Sequence, residues 1–285
     1  MSFTAGKDAT VPPPAKARRE ALGVRILSSV VLIVVVVAAI AVGRLYFNLL
    51  IALAVATLAW EWVRLCSGPA FGATGVTLAL VVLAAVALTS VGRPGAGLAA
   101  VVVGAAMIAA VGALEHRRKL AWLALGAAYI GLPGVAMVWL IGDPELGRQT
   151  VGWMVAVVAA TDIGAYAAGR ALGGVRLAPL ISPNKTWAGL FGGATCAILT
   201  GGITALLLDL PRLWPLALAS AVLAFLAQAG DLFESGVKRQ FGVKDAGGII
   251  PGHGGLLDRV DGHLAAAIAV AGVNWIGGSS ILTWQ

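Results

Sequence analysis

Apolar stretches of similar length, separated by short polar connections, repeat along this chain. The core of a bilayer is about 30 Å thick, and a helix crosses it with roughly 20 apolar residues. Within lipid, each backbone polar group needs a partner inside the protein, so repeated apolar segments of this length are expected to be helices. With 59% hydrophobic and 12% charged residues, the composition lies outside the range of soluble domains. The sequence therefore predicts an all-α integral membrane protein.

The hydropathy pattern predicts about nine transmembrane helices. They lie near 25–42, 45–60, 74–91, 96–113, 121–141, 151–168, 188–208, 214–230 and 263–282. We expect a disordered cytoplasmic tail over 1–22, because this segment combines consecutive prolines with mixed charges. We also expect a transmembrane scaffold over 23–145, which has few ionisable groups, and a catalytic transmembrane region over 146–285. The first apolar run resembles a secretory signal, but the basic tail and the following spans favour an uncleaved helix.

The distribution of basic residues predicts the orientation in the membrane. Most Lys and Arg residues fall in alternate connections, and the remaining connections hold one each: Arg44, Arg93, Arg148 and Arg212. Because cytoplasmic connections are enriched in basic residues, the N-terminus is expected in the cytoplasm. The net charge of +7 then reflects topology and attraction to anionic lipid headgroups, and we expect no nucleic acid as a partner.

Acidic and basic side chains alternate between Asp231 and Asp261, on the predicted cytoplasmic side. If the eighth helix continues past residue 230, Asp231, Glu234 and Lys238 share one of its faces. Asp258 and Asp261 are three residues apart at the start of the last helix. Carboxylates this close repel one another unless a cation lies between them, and hard oxygen ligands suit Mg²⁺ shared with substrate phosphates. The pattern predicts a metal and phosphate site.

The segment between these acids adds groups that bind phosphate. Glycines, among them Gly254 and Gly255, permit backbone N–H groups to approach phosphate oxygens. Fixed positive charge comes from Lys238, Arg239, Lys244 and Arg259. An ordinary topology signal explains some of these cations, but it does not explain the interleaved acids. His253 could act as an acid–base group, a hydrogen-bonding group or a neighbour of the metal ligands.

Two upstream elements belong to the same predicted side of the membrane. Asp162 lies in an apolar helix, where a carboxylate costs about 2.5–3.5 kcal/mol on insertion scales, which favours a functional role. The following loop contains Ser182, Lys185 and Thr186 just before the seventh helix, whose N-terminus also attracts anions. These residues are further candidates for binding phosphate.

Taken together, these motifs closely resemble the signature of the phosphatidate cytidylyltransferases, also called CDP-diacylglycerol synthases. The downstream part of the resemblance consists of Ser235, Lys238, Arg239, Lys244, Asp245, His253, Gly254, Gly255, Leu257, Asp258, Arg259 and Asp261. With the upstream motifs, it extends over 160–262. Ala188 departs from the family, which often has an acidic or amide side chain there, so a ligand role at that position is lost.

The resemblance implies CTP and phosphatidic acid as substrates, CDP-diacylglycerol and pyrophosphate as products, dependence on Mg²⁺, and a homodimer in membrane lipid. On this basis Asp231, Asp258 and Asp261 are expected to hold the metal, with Asp162 as a further ligand and a second cation as an open alternative. The predicted catalytic set is Asp231, Asp258, Asp261, Lys244 and Asp245. The predicted substrate-binding set is Ser182, Lys185, Thr186, Lys238, Arg239, His253, Gly254, Gly255 and Arg259. The compact chain favours a bacterial inner membrane, with the active site facing the cytoplasm.

Three other functions are each compatible with part of this pattern. The residues from Asp258 to Gly262 also match the opening of the motif of CDP-alcohol phosphotransferases, but the further acids of that motif do not follow. An ion-coupled transporter would be compatible with Asp162 and Asp231, but it predicts internal repeats and charges near the membrane midplane. A CTP-using lipid kinase is the third alternative.

Overall fold

We describe a computed structural model of the chain, which covers residues 15–249 and 254–284, with side chains from Leu27 onward. Nine α-helices follow one another in these residues, and a short antiparallel hairpin separates the sixth from the seventh. The helices are α1 (Ala15–Val42), α2 (Arg44–Ser67), α3 (Gly72–Ser90), α4 (Pro94–Leu114), α5 (Leu120–Ile141), α6 (Gly147–Leu172), α7 (Trp187–Leu207), α8 (Trp214–Gln240) and α9 (Leu257–Gly277). The hairpin consists of β1 (Arg176–Ala178) and β2 (Ser182–Thr186), and a 3₁₀ turn (Ile281–Thr283) follows α9.

Eight of these helices, α2 to α9, are long and apolar enough to cross a membrane, counted over the described residues. In α1 the corresponding apolar stretch is Leu27–Val42. The predicted all-α membrane bundle of about nine helices is therefore confirmed. Residues 1–14 lie outside the described residues, and the division into tail, scaffold and catalytic region stays a prediction, as does the cytoplasmic N-terminus.

Several helices extend beyond their predicted apolar runs on the side that carries the acidic motifs. α2 continues to Ser67, α8 continues to Gln240 and α9 already begins at Leu257. Hydropathy identifies only the apolar part of a helix, so polar turns at its end are missed although they continue the backbone hydrogen bonding. The continuation of α8 confirms that Asp231 and Lys238 belong to one helix. The segment predicted as a loop before α7 contains strand β2, which pairs with β1.

Two apolar clusters form the interior of the bundle. One lies mainly among α2, α3, α4 and α5 and includes Trp62, Leu78 and Ile130, each with no exposed surface. The other lies mainly among α6, α7, α8 and α9 and includes Met154 and Ala267, which are also fully buried. The first cluster reaches the start of α9, so both halves of the chain pack against the helix that carries Asp258 and Asp261.

Glycines permit close approach of the helices that carry the polar motifs. A Cβ atom on Gly193 of α7 would lie 2.8 Å from the Thr161 carbonyl oxygen of α6. A Cβ atom on Gly230 of α8 would lie 2.9 Å from the Asp261 carbonyl oxygen of α9. Small residues at helix crossings allow backbones to approach closely in membrane proteins. These glycines bring α7 against α6 next to Asp162, and α8 against α9 next to Asp231 and Asp261.

Successive helices run in opposite directions, so the end of one helix and the start of the next lie on the same side of the bundle. We call the side that carries the acidic motifs the site face. It contains the C-terminal ends of α2, α4, α6 and α8, the N-terminal ends of α3, α5, α7 and α9, and the hairpin. Contacts link distant parts of the chain across it. The Lys119 ammonium lies 4.0 Å from the centroid of the Phe241 ring, and Arg117 Nη1 donates to the Ala70 carbonyl oxygen at 2.9 Å.

Candidate active site

A chain of polar contacts connects the hairpin to α8 and α6. The Lys185 ammonium of β2 lies 2.6 Å from Asp231 Oδ2 and donates to Gln228 Oε1 at 2.9 Å. Gln228 Nε2 in turn donates to Asp162 Oδ1 at 3.2 Å. Gln228 and Asp231 are three residues apart, so α8 presents both on the same face. The structure thus joins Lys185 to Asp231 directly and to Asp162 through Gln228.

A second group of charges is centred on Lys238, in the last turn of α8. Its ammonium lies 2.6 Å from Glu234 Oε2 and 2.7 Å from Asp258 Oδ1. The side chains are 14%, 1% and 6% exposed for Lys238, Glu234 and Asp258, so one cation neutralises two carboxylates away from bulk solvent. Charge-assisted hydrogen bonds of this kind are stronger than neutral ones, and leaving either acid without the cation would be costly.

Asp258 also orders the backbone that leads into α9. Its Oδ2 accepts from the N–H of Gly255 at 2.8 Å and from the N–H of Ala246 at 3.1 Å. Gly254 adopts a φ of +82°, and a Cβ atom there would lie 2.9 Å from the same oxygen. A side chain at Gly254 would be strained on both grounds. Asp258 therefore holds the two ends of the loop between α8 and α9 together.

Asp261 lies between these two groups of charges. It interacts electrostatically with Asp231, Glu234 and Asp162, and its Oδ1 accepts from the N–H of Gly262 at 2.8 Å. Together with Asp258, five carboxylates from three helices share one region with two ion-paired lysines. Arg259 also acts on Asp162 electrostatically. This excess of negative charge favours binding of a cation.

The donor set fits Mg²⁺, which typically uses one or two carboxylates together with water and substrate phosphates. Each oxygen of Asp258 accepts from two donors, whereas each oxygen of Asp231 has one partner, Ser235 or Lys185, and Asp261 Oδ1 accepts from the N–H of Gly262. Glu234 Oε1 is buried and lacks a hydrogen-bond partner in the described part of the chain. Among the described residues, no three metal-ligating side chains are arranged to share one ion, so a metal ion here would need ligands from substrate or water.

The remaining described candidates belong to the hairpin or to the segment that runs from the end of α8 to the first turn of α9. Thr186 caps α7, because its Oγ1 accepts from the N–H of Gly189 at 3.0 Å. Arg239 Nε donates to the Ile181 carbonyl oxygen at 3.3 Å, which ties the hairpin to the end of α8. Ser182 belongs to β2. Three charged candidates, Lys244, Asp245 and Arg259, are exposed on the site face, and His253 lies outside the described residues.

Sequence reasoning missed two residues that contact this region. Gln228 bridges Lys185 and Asp162, and its signal was an amide inside an apolar run three residues before Asp231. Glu61 of α2 was assigned to the scaffold, yet its carboxylate contacts the start of α9. Its signal was an acid at the end of an otherwise apolar span, but no pattern in the sequence identifies its partners.

The chain is similar in sequence to known proteins. A family model described as the cytidylyltransferase family matches 23–276. A phosphatidate cytidylyltransferase of Brucella suis biovar 1 is 50% identical over 146 residues, which cover 51% of this chain and 54% of that protein. One of Staphylococcus epidermidis is 42% identical over 145 residues, covering 50% of this chain and 55% of that protein. In these alignments the chain spans about half the length of the curated relatives it matches.

Proposed function

The chain belongs to the cytidylyltransferase family, and we propose that it is a phosphatidate cytidylyltransferase. It transfers CMP from CTP to phosphatidic acid and releases CDP-diacylglycerol and pyrophosphate in a Mg²⁺-dependent reaction of phospholipid biosynthesis. The observation that carries this proposal is the convergence of Asp162, Asp231 and Asp261 with Lys185 and Lys238 where α6, α8, α9 and the hairpin meet. The names of the relatives support the choice of substrates.

In the proposed reaction, a phosphate oxygen of phosphatidic acid attacks the α-phosphorus of CTP. The bond from that phosphorus to the bridging oxygen of pyrophosphate breaks, and pyrophosphate leaves with the bonding electrons. Little covalent chemistry is required of the protein, so catalysis depends on positioning and on neutralising charge. A bound Mg²⁺ would supply charge stabilisation at the phosphate oxygens. Asp231 and Asp261 would hold it together with oxygens of substrate and water, and Asp258 and Asp162 would lie beside it.

The two lysines hold fixed positions from which they can meet phosphate oxygens. Lys185 is oriented by Asp231 and Gln228, and Lys238 is oriented by Glu234 and Asp258. Each ammonium has three donors, so a lysine held by two partners retains one for an incoming phosphate. Prior orientation by carboxylates lowers the reorganisation needed when substrate binds.

The exposed charges complete the proposed site. The cations Arg259, Arg239 and Lys244 would attract the triphosphate and the leaving pyrophosphate, and Asp245 would orient neighbouring cations. Ser182, Thr186 and the glycines Gly254 and Gly255 would contribute hydroxyl or backbone donors, with His253 as an additional phosphate contact. We further propose a homodimer in a bacterial inner membrane, with the site face toward the cytoplasm, where CTP is available. The bacterial relatives and the apolar helices support that membrane.

The test follows transfer of label from α-labelled CTP into chloroform-extractable lipid by the purified chain in detergent. Phosphatidic acid and Mg²⁺ are each supplied or omitted, with EDTA in the latter case. We expect labelled CDP-diacylglycerol only when both are present, and a loss of at least about 100-fold for Asp261→Asn. Absence of labelled lipid from folded protein under all conditions would refute the proposed function, and transport in liposomes would be measured next.

A matched control for this variant lies at the opposite end of the bundle. Asp209 is exposed in the connection between α7 and α8 and has a φ of +50°, a conformation that asparagine also tolerates. Asp209→Asn therefore makes the same chemical change far from the site face. It should retain wild-type transfer, and equal loss in both variants would contradict a specific role for Asp261.

A further inference from the structure

Helix α9 begins without a side-chain cap of its own. Its N-cap position is Leu256, which has no polar side chain, and the first helical residue is Leu257. The first N–H groups of a helix have no partners within the helix, and they must be satisfied from elsewhere when they are buried. Partners for these N–H groups matter here, because the first turns of α9 carry Asp258 and Asp261.

A carboxylate from the other half of the chain supplies the missing cap. Glu61 Oε1 accepts from the N–H of Leu256 at 2.8 Å, and Glu61 Oε2 accepts from the N–H of Leu257 at 2.7 Å. Glu61 has no exposed surface. A buried carboxylate is tolerated when charge-assisted hydrogen bonds compensate it, and the positive end of a helix dipole adds to them.

The loop between α8 and α9 also closes around this carboxylate. A Cβ atom on Gly247 would lie 2.7 Å from Glu61 Oε1, and one on Gly255 would lie 2.8 Å from the same atom. Either contact is too short for a real side chain, so only glycine permits these two backbone segments to meet Glu61. The carboxylate therefore packs against the backbone at Gly247 and Gly255 as well as against the start of α9.

The helix that carries Glu61 is itself anchored. The neighbouring Trp62 is fully buried, and its Nε1 donates to the Trp122 carbonyl oxygen of α5 at 2.9 Å. The Trp62 ring also packs against Tyr129, with the ring centroids 5.0 Å apart. Glu61 thus connects a buried part of the scaffold to the segment that precedes the acidic residues of α9.

We infer that Glu61 is a positioning residue for the reaction proposed above: it fixes the first turn of α9, and thereby the placement of Asp258 and Asp261. It contacts neither substrate nor metal, and it acts through the backbone of Leu256 and Leu257. This inference rests on the proposed function for its effect on rate, whereas its effect on the backbone can be measured independently.

The experiment compares Glu61→Gln and Glu61→Asp with the wild-type chain in detergent. A glutamine keeps the volume but presents one oxygen and one NH₂ group, so it cannot accept from both backbone N–H groups. An aspartate keeps the charge but is one methylene shorter. Hydrogen exchange at the amides of Leu256 and Leu257 should accelerate at least about tenfold in Glu61→Gln, because charge-assisted bonds are lost.

The kinetic expectation separates positioning from binding. In Glu61→Gln, kcat should fall about 10–100-fold, as for other residues that orient a catalytic group, with little change in KM for CTP. Glu61→Asp should recover part of this loss, since it can still accept one strong hydrogen bond. A wild-type kcat in Glu61→Gln, or unchanged exchange at Leu256 and Leu257, would overturn the inference.

Glu115→Gln is the matched control, because Glu115 performs the same task for a different helix. Its oxygens accept from the N–H groups of Ala73 and Thr74 at 2.7 and 3.1 Å at the start of α3. This variant should lower thermal stability and leave kcat unchanged.

If both Glu61 variants lose protection from hydrogen exchange throughout the chain, Glu61 is a general stabilising residue and the inference is wrong. If the wild-type chain makes no CDP-diacylglycerol, the proposed function fails, while exchange at Leu256 and Leu257 still decides the role of Glu61.

Discussion

Replacement of Lys238 by methionine should destabilise the fold as well as impair transfer. The Lys238 ammonium contacts Glu234 at 2.6 Å and Asp258 at 2.7 Å, and these acids are only 1% and 6% exposed. Methionine fills a similar volume but leaves both carboxylates without a cation. Removing one partner of a buried ion pair costs about 3–5 kcal/mol. We expect a loss in this range. Asp258 keeps its bonds from Gly255 and Ala246, whereas Glu234 keeps no hydrogen-bond donor among the described residues.

A second substitution tests that explanation. Glu234→Gln removes the charge of the acid that would be left without partners, so the double variant should be more stable than Lys238→Met alone. Coupling between contacting residues is typically about 0.5–3 kcal/mol, and a recovery of at least about 1 kcal/mol is expected. The free energy of unfolding would be measured in mixed micelles from the SDS-induced transition, followed by tryptophan fluorescence.

Lys244→Met provides the comparison for stability. Lys244 is exposed in the loop between α8 and α9, so its replacement should change the free energy of unfolding by less than about 0.5 kcal/mol. The reasoning is refuted if Lys238→Met unfolds like the wild type, or if the double variant is less stable than Lys238→Met. Either result would mean that the ammonium does not neutralise the two buried acids.

Three further predictions concern other contacts. Hydrogen bonds from a threonine hydroxyl and two backbone N–H groups lower the pKa of Glu115 to about 2 from the ordinary 4.5. This carboxylate therefore stabilises the folded state above pH 4.5, and its contribution should vanish as the pH falls toward 2. Measurements of unfolding against pH should show this loss in the wild type and lack it in Glu115→Gln. Gly230→Leu should force α8 away from α9, because even a Cβ atom there would lie 2.9 Å from the Asp261 carbonyl oxygen. Thermal stability and the rate of CMP transfer should both fall. A wild-type rate of CMP transfer would contradict this packing. Gln228→Leu removes a partner of Lys185 and should lower kcat about tenfold. The fold should be retained, as judged by size exclusion. An unchanged kcat would show that Gln228 does not orient Lys185.

Much of the site-bearing helix α8 could be predicted from the sequence. The spacing of Asp231, Glu234 and Lys238 places them on one helical face, and α8 indeed continues to Gln240. Asp258 and Asp261 likewise lie in the first turns of α9. These statements depend on helical periodicity, which is a local property. The end of the apolar run nevertheless gave too short a helix, because hydropathy does not report polar turns whose side chains are paired inside the protein.

Sequence composition and hydropathy by themselves determined the membrane bundle, and the spacing of the motifs determined which residues are candidates for chemistry. Only the tertiary structure decided their partners: Lys185 with Asp231, Lys238 with Asp258, and Glu61 with the start of α9. The physical reason is that lipid imposes the same apolar character on every helix, so hydropathy cannot distinguish which faces meet. Helix packing at particular small residues selects the neighbours, and that selection brings a carboxylate of the scaffold to the first turn of a helix that begins 196 residues later.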